Sequence, residues 1–60
     1  MKKWYSLYLD DEYKIFKLKQ YLKLTRITFE PSSSGIGVVF MVYAEQSTVN
    51  VINEYLDTIA

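Results

Sequence analysis

The chain has 60 residues, contains no cysteine or histidine, and balances seven basic against seven acidic side chains. Without those two residue types there is no thiolate nucleophile, disulfide, imidazole base or zinc site of the usual kind, so we predict no enzyme and no catalytic, metal or cofactor site. Half of the residues are hydrophobic and 17% are aromatic, which is more apolar material than one short chain easily buries. We therefore expect a single small α+β domain, residues 1–60, that binds a protein.

The first strand is predicted over Lys3 to Leu9, where aromatic and aliphatic residues alternate loosely with polar ones. The acids Asp10-Asp11-Glu12 then provide a helix cap and the first-turn charges that a helix N-terminus favours, which we prefer to a cation site. The helix is predicted from about Asp11 to Leu24. Its core stripe at helical spacing consists of Ile15, Leu18 and Leu22. A second, weaker apolar ridge on the opposite side consists of Tyr13, Phe16 and Leu24.

The second half of the chain predicts a hairpin and a helix. Residues Arg26 to Glu30 alternate as a short strand, the composition of Pro31 to Gly35 indicates a turn of about five residues, and Ile36 to Ala44 forms a third strand. Ser47 is the predicted N-cap of a last helix from Thr48 to about Ile59. Its broad apolar face consists of Val49, Val51, Ile52, Tyr55, Leu56 and Ile59.

The predicted element order is therefore β-α-β-β-α. A right-handed crossover in the first β-α-β unit leaves room for the third strand between the other two, which gives a three-stranded antiparallel sheet of order 1-3-2 with both helices on one face. This is a truncated ferredoxin-like plait without its last strand. The first strand then has an unpaired edge, and the second face of the sheet has no helix on it.

Strand alternation predicts an apolar open face where a solvated sheet is normally polar. We predict a homodimer interface made of the first-strand edge and this face. Two other interpretations stay open: helices that cover both faces, or a register shifted by one residue. The residues predicted at the dimer interface are Trp4, Tyr8, Val39, Met41 and Tyr43.

Charge is distributed unevenly along the chain. All seven basic residues lie in the first 26 positions with three acids, and positions 27–60 hold four acids and no base. Either the two helices attract each other weakly across the surface, or the basic helix steers a charged partner. The residues predicted to meet a partner are the lysines and the second ridge of the first helix: Lys14, Lys17, Lys19, Lys23, Tyr13 and Phe16.

The alternative function is a small-ligand or nucleic-acid-binding domain that stacks bases on the aromatic open face. The segment Ser34 to Met41 matches both glycines of the signature found on the base-stacking strand of RNA-recognition domains. Its two stacking positions, however, are the aliphatic Ile36 and Val38, and no basic residue follows Arg26. These differences favour a protein partner over nucleic acid.

As a chain of sixty residues rich in Lys, Ile and Tyr, with the order β-α-β-β-α and no cofactor motif, the sequence resembles the small anti-defence proteins of phages, including the short inhibitors of the Hachiman system. The resemblance implies stoichiometric binding to a host protein, often as a homodimer, in the host cytoplasm. It concerns size, composition and element order, and it implies no role for any particular residue. The longest apolar run, Ile36 to Ala44, is far shorter than the roughly 20 residues of a membrane helix, so we expect no membrane association.

Overall fold

A computed structural model describes residues 1–59 of the chain. Three strands and two helices follow one another in the predicted order β-α-β-β-α. Their bounds are β1 Lys3–Leu9, α1 Glu12–Leu24, β2 Thr28–Ser34, β3 Gly37–Ala44 and α2 Gln46–Thr58.

The strands form one antiparallel sheet of order β1-β3-β2, so the predicted truncated ferredoxin-like fold is confirmed. The central strand β3 pairs with β1 from Lys3↔Ala44 to Leu9↔Val38 and with β2 from Thr28↔Tyr43 to Ser34↔Gly37. Both registers run without interruption. Residues opposite one another in an antiparallel sheet project to the same face, so this register fixes the composition of each face.

The core lies between one face of the sheet and both helices. From β3 it receives Phe40, Val42 and Ala44, and the predicted stripe of α1 contributes Leu18 and Leu22. From α2 it receives Val49, Ile52 and Leu56, while Val51 is exposed on the opposite side of the helix. The prediction that Val51 belongs to the apolar face of α2 is therefore wrong. No helix among residues 1–59 has the length and apolar character needed to cross a membrane.

The acids before α1 cap the helix, as predicted. The Asp11 side chain accepts hydrogen bonds from the backbone N–H groups of Tyr13, at 2.8 Å, and Lys14, at 3.3 Å. Glu12 occupies the first turn, where its charge suits the helix dipole. Because the Asp11 carboxylate is used in this way, the sequence Asp10-Asp11-Glu12 functions as a start signal for the helix.

The end of α1 differs from the prediction, because Arg26 does not begin a strand. Its φ of 58° lies in the left-handed region. The Arg26 N–H donates to the Lys23 carbonyl at 3.3 Å, and the Ile27 N–H donates to the Leu22 carbonyl at 3.0 Å. This pair of bonds defines a Schellman motif, in which Arg26 stands at the position that usually holds glycine. The strand accordingly starts two residues later, at Thr28.

Arg26→Gly is expected to stabilise the protein by about 1 kcal/mol, because a left-handed backbone costs a side-chain-bearing residue about 1–2 kcal/mol and glycine almost nothing. A change of that size raises the melting temperature of so small a domain by about 4–8 °C, measurable by circular dichroism. The matched control is Lys19→Gly in the middle of α1, which should lower the melting temperature. A lower melting temperature for Arg26→Gly would contradict the assignment of the motif.

The hairpin is tighter than predicted. Residues Pro31 to Ser34 are not a turn but the second half of β2, and Ile36 is not part of β3. The turn itself consists of Gly35 and Ile36, with φ of +60° at Gly35, the pattern of a type II′ turn. Pro31 is tolerated because β2 is an edge strand, where the missing N–H has no pairing partner to lose.

The start of α2 also differs from the prediction, because the helix begins at Gln46, two residues before Thr48. The N-cap is Glu45, whose side chain makes no capping hydrogen bond, and Ser47 lies inside the helix. The first turn is held by the Val49 N–H, which donates to the Glu45 carbonyl at 3.1 Å. The Gln46 amide also donates to Asn50 Oδ1, one turn along, at 3.1 Å.

Candidate functional site

The candidate site is the sheet face that carries no helix, which we call the open face. The registers place three rows of side chains across it, in the order β1, β3, β2. The row that we call the aromatic row is Trp4–Tyr43–Thr28. The middle row is Ser6–Met41–Glu30, and the hairpin-side row is Tyr8–Val39–Ser32. The structure thus brings all the residues predicted at the dimer interface onto one surface, and the two alternative arrangements of this face do not occur.

The aromatic side chains of the open face remain substantially exposed. Trp4 is 48%, Tyr8 53% and Tyr43 40% exposed, while Val39 and Met41 are half-buried. The Trp4 and Tyr43 rings contact each other with centroids 5.3 Å apart. Aromatic side chains of this kind bury about 150–250 Å² each when covered, so the face offers an apolar patch on the order of several hundred Å². Patches of that size are typical of interaction surfaces.

Tyr8 is held in place by a glycine. A Cβ atom added to Gly37 would lie 2.7 Å from the Tyr8 hydroxyl and 2.8 Å from its Cε1 atom, so the ring covers the bare backbone of Gly37. The same Cβ would lie 2.5 Å from the Leu9 carbonyl oxygen. Gly37 therefore allows β1 and its tyrosine to approach the start of β3, an arrangement in which an aromatic ring compensates for a glycine in a strand.

Gly37→Ala is expected to destabilise the protein by about 1–3 kcal/mol, because the new methyl group overlaps backbone as well as the Tyr8 ring. Chemical denaturation measures this change. The matched control is Ser34→Ala, at an exposed position beside the same turn that already carries a Cβ, where the change in stability should stay below about 0.5 kcal/mol. A Gly37→Ala variant as stable as the parent would show that Tyr8 does not pack in this way.

The two edges of the sheet are protected to different degrees. The β2 edge carries Pro31, which cannot donate a backbone hydrogen bond, and the charged Glu30. The β1 edge runs through KWYSLYL with no proline and no interruption of its register. Natural proteins usually block a long regular edge with proline, a bulge or inward-pointing charge. The β1 edge is therefore the one open to another strand.

The predicted partner-binding residues lie on the outer side of α1. Tyr13 and Phe16 are 55% and 57% exposed, Lys14 and Lys17 are half-buried, and Lys19 and Lys23 are exposed. The Lys17 ammonium group lies 5.5 Å from the centre of the Tyr13 ring, a cation–π distance. The helix thus presents a mixed basic and aromatic surface, which is separate from the open face.

The opposite charges of the two helices do not pair across their contact. Among residues 1–59, the ion pair that forms joins the Met1 amino group and Glu45, 4.0 Å apart at the surface. The helices meet through Tyr21 and Tyr55, whose rings stack with centroids 4.8 Å apart. Sequence reasoning did not single out this aromatic pair, although both residues have helical spacing from core positions. The lysines of α1 accordingly keep their charge for solvent or a partner.

The segment compared with RNA-recognition domains does not place its stacking positions on the open face. Ile36 lies in the hairpin turn and is almost fully exposed. Val38 pairs with Leu9 on the helix-covered side of the sheet. The aromatic groups that remain available for stacking are Trp4, Tyr8 and Tyr43, and the acid Glu30 lies on the same face.

One shallow depression of about 200 Å³ lies at the end of the sheet beside the aromatic row. Its charged lining groups are Lys2, Arg26 and Glu45, joined by Tyr43 and several threonines. No group of three or more acidic side chains among residues 1–59 is arranged to hold a metal ion. The open face is therefore the surface feature with the clearest chemical character, and that character is apolar and aromatic.

Comparison with protein-family models found no match, and comparisons with curated proteins and with solved structures found no significant match either.

Proposed function

We propose that this chain is a small homodimeric protein-binding module, encoded by a phage or other mobile element, that inhibits a host defence protein by stoichiometric binding in the host cytoplasm. The open face carries the first part of the proposal, because Trp4, Tyr8 and Tyr43 are exposed on a surface with no helix to cover it. The resemblance to the small anti-defence proteins of phages, in size, composition and element order, supports the proposed inhibition of a host defence protein. Such a protein acts by covering a surface of its target.

Removal of apolar surface of the open face from water would stabilise a complex, because this surface is exposed in the single chain. Each Å² of apolar surface removed from water contributes about 25 cal/mol, and aromatic residues dominate the energetics of most interfaces. A stable interface needs about 800 Å² from each partner, more than the aromatic side chains alone provide. The β1 edge, which adjoins the aromatic row, supplies additional contact area. A second copy paired along this edge would bury the part of the aromatic surface that lies beside it.

The outer side of α1 is the proposed contact with the host target. It is exposed, it combines the aromatic pair Tyr13 and Phe16 with lysines, and it is separate from the open face. Aromatic anchors surrounded by charged residues are typical of interfaces between proteins. The lysines favour a target surface that is acidic, because complementary charge speeds association.

Tyr13→Ala combined with Phe16→Ala is expected to weaken target capture by at least tenfold, since two anchor residues are lost at once. The measurement is affinity capture from bacterial lysate with quantification of each captured protein. Val51→Ala is the matched control, because Val51 is an equally exposed apolar residue on α2. A target held equally well by all three proteins would contradict the assignment to α1.

A second candidate function is a binding domain for nucleotides or single strands, favoured by the exposed Trp4, Tyr8 and Tyr43 rings. The chain has a single tryptophan, so Trp4 fluorescence reports directly on this face. Quenching of Trp4 by oligonucleotides that weakens steeply with salt would favour this function. Unchanged emission favours the protein-binding module.

A further inference from the structure

We propose that two copies of this chain join through β1, paired antiparallel with itself in the register that places Ser6 opposite Ser6 of the second copy. The inference rests on the homodimer proposed above and names its geometry. A two-fold axis perpendicular to the sheet generates this pairing and keeps the helices of both copies on the same side. The product is one continuous six-stranded antiparallel sheet.

The sequence of β1 complements itself in this register on both faces. On the open face, Trp4 of each copy lies opposite Tyr8 of the other, so aromatic residues flank the seam, while each ring packs on β3 of its own chain, Trp4 on Tyr43 and Tyr8 over Gly37. On the helix side, Tyr5 lies opposite Leu7, and both are partly buried against the core of their own chain. All seven residues of β1 find a partner, whereas a shift by two residues leaves some of them unpaired.

The charges at the two ends of β1 match in the same register. Lys2 precedes the strand, Asp10 follows it, and both are exposed. Pairing centred on Ser6 brings Lys2 of each copy next to Asp10 of the other, so the dimer gains two pairs of opposite charge. The order basic, aromatic, small, aromatic, acidic along Lys2, Trp4, Ser6, Tyr8 and Asp10 is thus self-complementary when read antiparallel.

The middle row of the open face also contributes to the proposed dimer interface. Ser6 is small, and its neighbour on β3 is Met41. Two serines at the centre of the seam leave a shallow trough, and a Met41 side chain borders it on each side. The long, flexible methionines can fill that trough. The β2 edge, with Pro31, remains unsuited to the same pairing.

A charge-exchange experiment tests the register without relying on a destabilised fold. Lys2→Asp and Asp10→Lys should each weaken homodimerisation by about tenfold, because each creates two like-charged pairs. An equimolar mixture of the two variants should form heterodimers with the affinity of the parent, since both pairs become attractive again. Native mass spectrometry distinguishes the three dimers by mass. If each variant alone forms as much homodimer as the parent, and if the mixture contains homodimers and heterodimer in the statistical ratio, the register is overturned.

Cross-linking locates the axis directly, because the chain has no cysteine of its own. Ser6→Cys should form a disulfide-linked dimer under mild oxidation, since opposing residues lie about 4.5–5.5 Å apart. Lys3→Cys should not form this disulfide, because residue 3 of one copy lies about 20 Å from residue 3 of the other in this register. A dimeric mass without a Ser6→Cys cross-link overturns the register and leaves the proposed homodimer standing, whereas a monomeric mass overturns both.

Discussion

Met41→Asp is expected to shift the protein from dimer to monomer, with a dissociation constant raised by about 10- to 100-fold. Met41 is half-buried in the middle row of the open face, next to the proposed seam. A carboxylate at this position loses part of its water on association and finds no basic partner, which costs about 1–3 kcal/mol. Each 1.4 kcal/mol corresponds to about tenfold in affinity. Sedimentation over a dilution series measures the shift.

Met41→Lys is the matched control for this experiment. Glu30 lies opposite Met41 on β2, so an aspartate also meets a like charge within its own chain. A lysine opposes Glu30 favourably and still replaces an apolar side chain by a charged one at the seam. We expect both variants to be monomeric, and Met41→Asp to have the lower melting temperature. If both keep the mass of the parent dimer, Met41 lies outside the interface.

Phe40→Ala is expected to have the largest effect on stability, with a loss of about 3–5 kcal/mol. Phe40 is fully buried, it packs against Phe29 with ring centroids 6.1 Å apart, and it is the largest side chain of the core. A domain of 60 residues is stable by only about 3–9 kcal/mol in total. The variant should therefore be largely unfolded, or melt at least about 15 °C below the parent by circular dichroism.

The comparison of Phe40 with its neighbour Met41 separates the two sides of the sheet. The two residues are adjacent on β3 and project to opposite faces. Phe40→Ala should reduce the stability of the single chain, whereas Met41→Ala should mainly reduce association. A Phe40→Ala variant that melts within a few degrees of the parent would place the core on the other face. Val51→Ala, at an exposed site, should change stability by less than about 0.5 kcal/mol.

The sequence predicts the sheet order and the open face because those features depend on strong, redundant patterns. Alternation in Lys3–Leu9 defines β1 to the residue, and Asp11 marks the start of α1 by a side-chain cap. Once β-α-β-β-α is established, crossover handedness allows few sheet orders. The open face follows from alternation in the two paired strands, β1 and β3, and needs no knowledge of individual turns.

The boundaries that sequence reasoning misplaced are those set by tertiary pairing. The composition of Pro31 to Ser34 is typical of a turn, yet pairing with β3 extends the strand through these residues. Arg26 gives no signal for a helix end because the residue usual at that position is glycine. Ser47 has the better capping side chain, but α2 begins at Glu45, which uses only its backbone.

Positions that depend on helix rotation were only partly predictable. Val51 has the spacing of an apolar face but lies on the solvent side, because that face is narrower than the sequence pattern suggests. Conversely, the Tyr21–Tyr55 stack between the helices requires a crossing geometry that no single-helix pattern contains. Attraction between the oppositely charged helices was one of two interpretations of the lopsided charge, and among residues 1–59 the helices meet through aromatic rings and not through an ion pair.

The mass of the native protein in solution tests the central claim most directly. The claim is that two copies of the chain join through β1 and the part of the open face that adjoins it. Size-exclusion chromatography with multi-angle light scattering at micromolar concentration should give twice the 7.1 kDa of one chain. A mass of 7.1 kDa throughout the micromolar range would contradict it.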